Sequence, residues 1–343
     1  MKSLSMRTVS LMVAAGLLTA AAPCQASDDA ALFEAVREAD LRIATIGWRL
    51  ATTNAPLCDR LESGTGLQLH TLDQFAPARR DGAVRHFGFV TPVAVEAVVP
   101  DSPAAKAGAM PDDSLLRAGP VDMAALPGKP NTTDRLAAAQ SAIAGLPRGT
   151  AIEITANRNG GPAKYRVMPV AACATRFELE LNNGFTASAD GKLVQIGSGF
   201  LDSYSDDQLA AAIAHEFAHN ILHHRDRLEA RGVDYGLLSG FGANVKYFRQ
   251  TEIQADLLSV YLLANAGYPP RAAVEFWKKF GPSKAGGILR SRSHPAWRDR
   301  VATLEAEITK IEQSPGRPII PTLIADRDKP LDGDWQSILV RSR

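Results

Sequence analysis

Apolar positions recur along this chain with two different periods, and each marks a different kind of element. Between Asp28 and Thr52 they fall at helical spacing (Leu32, Val36, Leu41, Ile43, Ile46 and Leu50), which predicts a long leading helix. Short runs at Val95 to Val99, Ala151 to Ala156 and Tyr165 to Val170 read as strands. The last two close around the turn Asn157-Arg158-Asn159-Gly160-Gly161. Leu209 to Ala214 is apolar almost all round, so the helix carrying it is expected to be buried. Ser205 and Gln208 supply its start as a reciprocal capping box. A second helical apolar run begins near Thr251 and continues through Leu263. Ser293 and Pro295 read as the cap and first turn of a last helix to about Ile311. Beyond it Pro315, Pro318, Pro321 and Pro330 interrupt any period and predict an extended tail.

The buried helix carries the sequence His215-Glu216-Phe217-Ala218-His219. Residues four apart share a helix face, so the two imidazoles can grip one Zn²⁺ while Glu216 acts on a metal-bound water. Apolar surroundings make these polar groups costly unless something satisfies them, and zinc does so. Downstream, Glu252 and Asp256 are also four apart. That spacing suits Glu252 as third ligand and Asp256 as an acceptor that orients a ligand histidine through its other ring nitrogen. His223 and His224 read as a continuation of the helix onto a polar surface.

His-Glu-Phe-Ala-His, then Glu252-Ile253-Gln254-Ala255-Asp256, then Ser293-His294-Pro295 ahead of Arg298 and Arg300, resembles the HtpX/Oma/CaaX-protease-like gluzincins of peptidase family M48. The resemblance runs from about Phe177 to Ile311. Asn182-Asn183-Gly184-Phe185-Thr186 is similar to the family's Asn-Ala-Phe strand, with Gly184 where alanine is usual. It implies an α+β fold whose mainly helical zincin-type metallopeptidase domain has a small edge sheet. It further implies one Zn²⁺ per chain on His215, His219 and Glu252, with Glu216 as general base and Asp256 behind the ligands. His294 is implied to lie close to the metal, either donating to the oxyanion or ligating zinc in a resting form. An extended substrate is expected to pair with an edge strand around residues 183–188.

A second resemblance precedes the catalytic segment. His86 to Phe89, Ser102 to Gly108 and Thr133 to Ile143 look like the carboxylate-binding loop, the Ser-Pro-Ala-x-x-Ala-Gly turn and the groove helix of a PDZ-like β-sandwich or barrel domain. Asp112-Asp113 departs from the usual Gly-Asp. The expected organisation is a signal peptide over 1–26, a leading helix of the peptidase over 27–60 and a PDZ-like insertion over 84–171. The catalytic domain follows over 173–313 and the tail over 314–343. Cys58 and Cys173 bracket the insertion. A disulfide there would tie its ends to the catalytic core, the alternative being two unrelated buried thiols.

Met1 to Ala26 has a basic start at Lys2 and Arg7, an apolar core from Val9 to Ala22 and small residues before Ser27. It predicts export to a bacterial periplasm or beyond, ahead of lipidation at Cys24. Elsewhere the sequence has no apolar stretch long enough for a bilayer span. With 343 residues, 45% hydrophobic and 22% charged, there is enough chain for two cores. A net charge of +1 gives no electrostatic footprint for nucleic acid.

The function that follows is a zinc metalloendopeptidase. Its expected partners are polypeptides, namely extended or misfolded envelope proteins, with a C-terminal peptide as ligand of the PDZ-like groove. The alternative is a gated, zinc-bound scaffold acting through that groove, with Gly232 to Asn244 as a flap over the cleft.

Overall fold

A computed structural model describes residues 24–182, 184–233, 242–284 and 295–342. The expected signal segment up to residue 23, His294 and most of the Gly232 to Asn244 stretch lie outside the described residues.

The fold is α+β. Helix α1 (Cys24–Thr53) leads, with Ile43, Ile46 and Leu50 buried as their spacing predicts, while Leu32 is exposed. The chain then forms β1 (Leu61–Gly64), β2 (Leu67–Thr71), α2 (Pro77–Phe87), β3 (Val93–Val98), α3 (Pro103–Lys106), β4 (Ser114–Ala118) and β5 (Val121–Asp122). Next come α4 (Asp134–Ala144), β6 (Ile152–Arg158) and β7 (Gly161–Val167). The path β2-β3-β4-β6-β7 is antiparallel throughout, with β5 hung on β4. Its inward residues Val93, Val95, Leu115, Ile154 and Val167 meet Leu136 and Ile143 of α4 in a core of their own.

The remaining chain gives β8 (Val170–Cys173), β9 (Arg176–Glu180), β10 (Ala187–Ala189), β11 (Leu193–Gly197) and α5 (Gly199–Ser203). The helices α6 (Asp206–Ile221), α7 (His224–Glu229), α8 (Val245–Asn265), α9 (Arg271–Lys284) and α10 (Trp297–Glu312) complete it. Here α1 rejoins the chain, packing with β8, β9 and the helices around Phe200, Leu209, Ile213, Phe217, Leu258 and Leu262. The small sheet has the order β10-β11-β9, parallel between β9 and β11 and antiparallel between β10 and β11, so β10 is an edge. Where the chain leaves and re-enters this core, β1 pairs with β8 and Cys58 is bonded to Cys173, their Cα atoms 5.6 Å apart.

One local reading needs correction. His86 and Phe87 are not in a carboxylate loop: they form the last turn of α2, which ends on Gly88 in the left-handed region at φ 64°. His86 Nε2 meets Glu34 at 2.6 Å and Phe87 is buried among Phe33, Phe75 and Phe89. Gly64, Thr65 and Gly66 lead from the end of β1 into β2, an edge strand of the larger sheet. Gly66 sits at φ 80°, and a Cβ there would lie 2.2 Å from the Ser102 side chain. At Asp112-Asp113, Asp112 adopts φ 68°, a backbone that glycine takes without strain. Aspartate tolerates that backbone, and its carboxylate accepts from Arg37 of α1 at 2.6 Å.

The tail packs on α8 and α10. Asn265 brackets Ile319, Gln250 holds Asp332 and Gly333, and Thr303 pairs with Val340. Leu331 is fully buried against Leu228 and Val233.

Candidate active site

Helix α6 starts where Ser205 and Gln208 close their capping box, with Asp206 and Asp207 in the first turn favouring its positive end. Its apolar body packs against α8, α9 and β10, which fixes the face carrying His215, Glu216 and His219. Helix α8 brings Glu252 against both histidines. His215 Nε2 and His219 Nε2 lie 3.3 Å apart, and the Glu252 carboxylate oxygens lie 3.5 Å and 3.6 Å from them. A tetrahedral ion bonded at about 2.0–2.1 Å has ligand-to-ligand edges of roughly 3.3–3.4 Å, so the spacing of these atoms fits zinc. The donor set, two imidazole nitrogens and a carboxylate, fits it too.

Each histidine is oriented from behind. Asp256, fully buried, faces His215 Nδ1 at 3.1 Å and leaves Nε2 toward the carboxylate of Glu252. Arg300 of α10 grips Asp256 with Nε at 2.6 Å and Nη2 at 2.7 Å, and its Nη1 reaches Glu252 at 3.4 Å. The guanidinium lies 3.5 Å over the Trp277 ring, which covers its apolar face. Burial opposes a charge on His215, yet the hydrogen bonds to Asp256 and Glu252 and the Asp256 charge outweigh it and lift the ring to about 10. His219 is driven the other way, to about 4, first by burial and then by His215 and Arg300 against the pull of Glu252. Burial raises the Asp256 carboxyl, but Arg300 and His215 together hold it below the usual carboxylate range.

His215, His219, Glu252 and Arg300 line a cleft of about 810 Å³, bordered by β10 (Ala187 and Ala189), Phe185, Trp277 and Trp297. Glu216 faces the same cleft from the helix turn between the histidines. The structure thus brings together His215, Glu216, His219, Glu252 and Asp256. His294 lies outside the described residues.

Three residues named in the sequence have roles that sequence reasoning did not give. Arg300 stands on the buried face of α10 with Leu304, Ile308 and Ile311, and a lone arginine on an apolar helical stripe was the available signal. His223 and His224 do not extend α6 onto a polar surface. Leu222 ends that helix, His223 turns the chain at φ 51°, and both rings are buried. His223 meets Asp59 and Asp328, while His224 folds back onto His219.

Residues 236–308 match Peptidase family M48. The match takes in Glu252, Asp256 and Arg300 and begins downstream of the paired histidines. Over that segment the chain is similar to the M48 metallopeptidases. The mitochondrial metalloendopeptidase OMA1 of Saccharomyces cerevisiae is 22% identical over 169 residues, covering 40% of this chain and 49% of that protein. Its namesake in Arabidopsis thaliana is 28% identical over 152 residues, covering 38% of this chain and 30% of the relative. The chain therefore spans about half the length of the first relative and less of the second. Among solved structures, the HtrA-type protease AlgW with decapeptide is 21% identical over 32% of this chain and 30% of its own, at a TM-score of 0.25. The serine endoprotease from Yersinia pestis is also 21% identical, over 32% of this chain and 29% of its own, at 0.20. Both likenesses are weak.

The expected bacterial periplasmic or secreted location is overturned by these relatives. The curated proteins from two yeasts and a plant that resemble the chain are all mitochondrial metalloendopeptidases of eukaryotes. No helix among the described residues is long and apolar enough to cross a membrane.

Proposed function

We propose that this chain is a zinc-dependent metalloendopeptidase that hydrolyses peptide bonds of extended or misfolded polypeptides. The observation that carries this reading is the near-tetrahedral spacing of His215, His219 and Glu252 beside Glu216 in a cleft bordered by a sheet edge. Zinc bound there would lower the pKa of a water molecule to about 7 and polarise a peptide carbonyl.

The chain's own residues do the rest. His215 and His219 present Nε2, and Glu252 presents its carboxylate. Asp256, held by Arg300, keeps the His215 ring in one orientation. Glu216, one residue along the helix from His215, takes the proton of the attacking water and returns it to the leaving amine. An extended polypeptide adds to the β10 edge by main-chain pairing, which gives affinity with little dependence on sequence. Phe185, Trp277 and Trp297 supply apolar contacts along the cleft.

We read residues 27–60 with 173–313 as the catalytic unit and the strand-rich segment between them as an inserted PDZ-like docking unit. In that unit β2 is an edge strand, and α4 lies beside it across a cavity of about 460 Å³. Gly64, Gly66 and Leu67 line one side of that cavity and Ile143 and Ala144 the other. A C-terminal peptide would add to β2 there. Gly191 borders both this cavity and the catalytic cleft, so a polypeptide held in one lies near the other.

Metal removal tests the function. Chelator-treated protein should lose cleavage of casein and regain it with about one equivalent of Zn²⁺ per chain. Full activity after verified zinc removal would refute the reading.

A further inference from the structure

Behind His215 stands an ionic pair, but behind His219 stands a chain of neutral groups that begins at a guanidinium. Arg227 Nη1 lies 3.1 Å from one side-chain amide atom of Gln254. A guanidinium only donates, so that atom is the oxygen, Oε1. His224 Nε2 lies 3.1 Å from the same Oε1 and must therefore carry the hydrogen. The ring is 1% exposed and its Nε2 shares the Gln254 oxygen with the Arg227 guanidinium, so the neutral ring with its one hydrogen on Nε2 leaves Nδ1 with its lone pair. That lone pair faces His219 Nδ1 at 2.9 Å. The hydrogen of His219 then belongs on Nδ1, and the bare nitrogen is Nε2, which looks at His215 and Glu252.

We propose that His224 is a positioning residue that fixes the Nδ1–H tautomer of His219, and that Gln254 and Arg227 in turn fix the tautomer of His224. The inference rests on the reading of His215, His219 and Glu252 as a metal site, and it concerns how the chain prepares one of those ligands. Without the relay His219 is free to hold its hydrogen on Nε2, the form that cannot ligate. Two further features belong to the relay. The turn at His223 is what returns His224 to His219, and the C-terminal segment holds the far end, with Arg227 Nε donating to the Lys329 carbonyl at 2.9 Å. The two ligands are thereby set independently: His215 by a carboxylate, His219 by an imidazole acting as acceptor.

The test compares the full chain with His224→Phe, which keeps a ring but no acceptor, and with His224→Asn, whose side-chain oxygen can stand near the place of Nδ1. Nitrogen-15 spectra of the histidine rings in metal-free protein read the tautomers directly, and competition with a chromophoric chelator reads affinity for Zn²⁺. We expect His219 protonated at Nδ1 and His224 at Nε2 in the wild type. His224→Phe should lose the single His219 tautomer and bind zinc about 10–100-fold more weakly, with His224→Asn recovering most of both. Finding His219 protonated at Nε2 in the wild type, or unchanged tautomer and affinity in His224→Phe, would overturn the proposal. If His224→Phe fails to fold, the wild-type spectrum and His224→Asn still decide. A wild type that binds no zinc contradicts the site reading instead, while the metal-free spectra continue to judge the relay.

Discussion

His70 and His215 are both buried histidines, and they show how differently the two halves of the molecule treat the same side chain. His70, on β2, is 2% exposed and packs against Phe75, Phe87 and Phe89, with neither ring nitrogen hydrogen-bonded. Burial first, then the charges of Arg37 and His86, push it down to about 3, so it is a neutral aromatic filler. His215 is also buried, yet both its ring nitrogens face carboxylates, and those carboxylates share Arg300. Burial alone therefore says little about function. A buried imidazole whose nitrogens are all directed by partners is prepared to do something; one surrounded by phenyl rings is part of a core.

The largest way to break this contrast is to remove the cation that organises the site. Arg300→Met leaves Asp256 buried without its guanidinium, and we expect a loss of about 3–5 kcal/mol in denaturant unfolding. Little change would mean the ion pair is not what holds α8 and α10 together.

The covalent tie that closes the two ends of the strand-rich segment should matter somewhat less. Replacing Cys58 and Cys173 by alanine opens a loop with a sequence separation of 115 residues. The expected cost is about 2–4 kcal/mol, measured by unfolding. Thiol titration of the unfolded protein checks the bond itself, and equal counts before and after reduction would exclude it.

A pH series sharpens the comparison from the side of His70. Its folded value lies below its unfolded one, so below pH 6.5 the unfolded chain takes up a proton that the native ring refuses. Stability from this group is present above pH 6.5 and is lost as pH falls toward 3, by about 1.4 kcal/mol per unit. Relative to wild type, His70→Phe should gain about 2 kcal/mol on going from pH 7 to pH 5. Parallel stability curves would show that His70 titrates normally.

Much of this architecture was legible in the sequence where one local signal governs one element. The capping box at Ser205 and the apolar run after it gave α6, and the pair Glu252 and Asp256 fell on the inner face of α8 because a helix repeats. The chain was harder to read where a backbone turn rather than a period decides. The Phe87-Gly88-Phe89 run looked like a ligand loop, but Gly88 is the left-handed end of a helix. His224 looked like surface because nothing in the sequence reveals that His223 bends the chain back toward His219. Arg300 needed three helices brought together before its partners existed.

The central claim is that Glu216 acts as the base beside a zinc site, and one paired measurement tests it most directly. Wild type and Glu216→Gln are assayed for casein cleavage with zinc content determined on the same samples. The account predicts about one zinc per chain in both, with cleavage slowed about 10²–10⁴-fold or abolished in the variant. Equal cleavage by the two proteins, or purified wild type that holds no zinc, would contradict it.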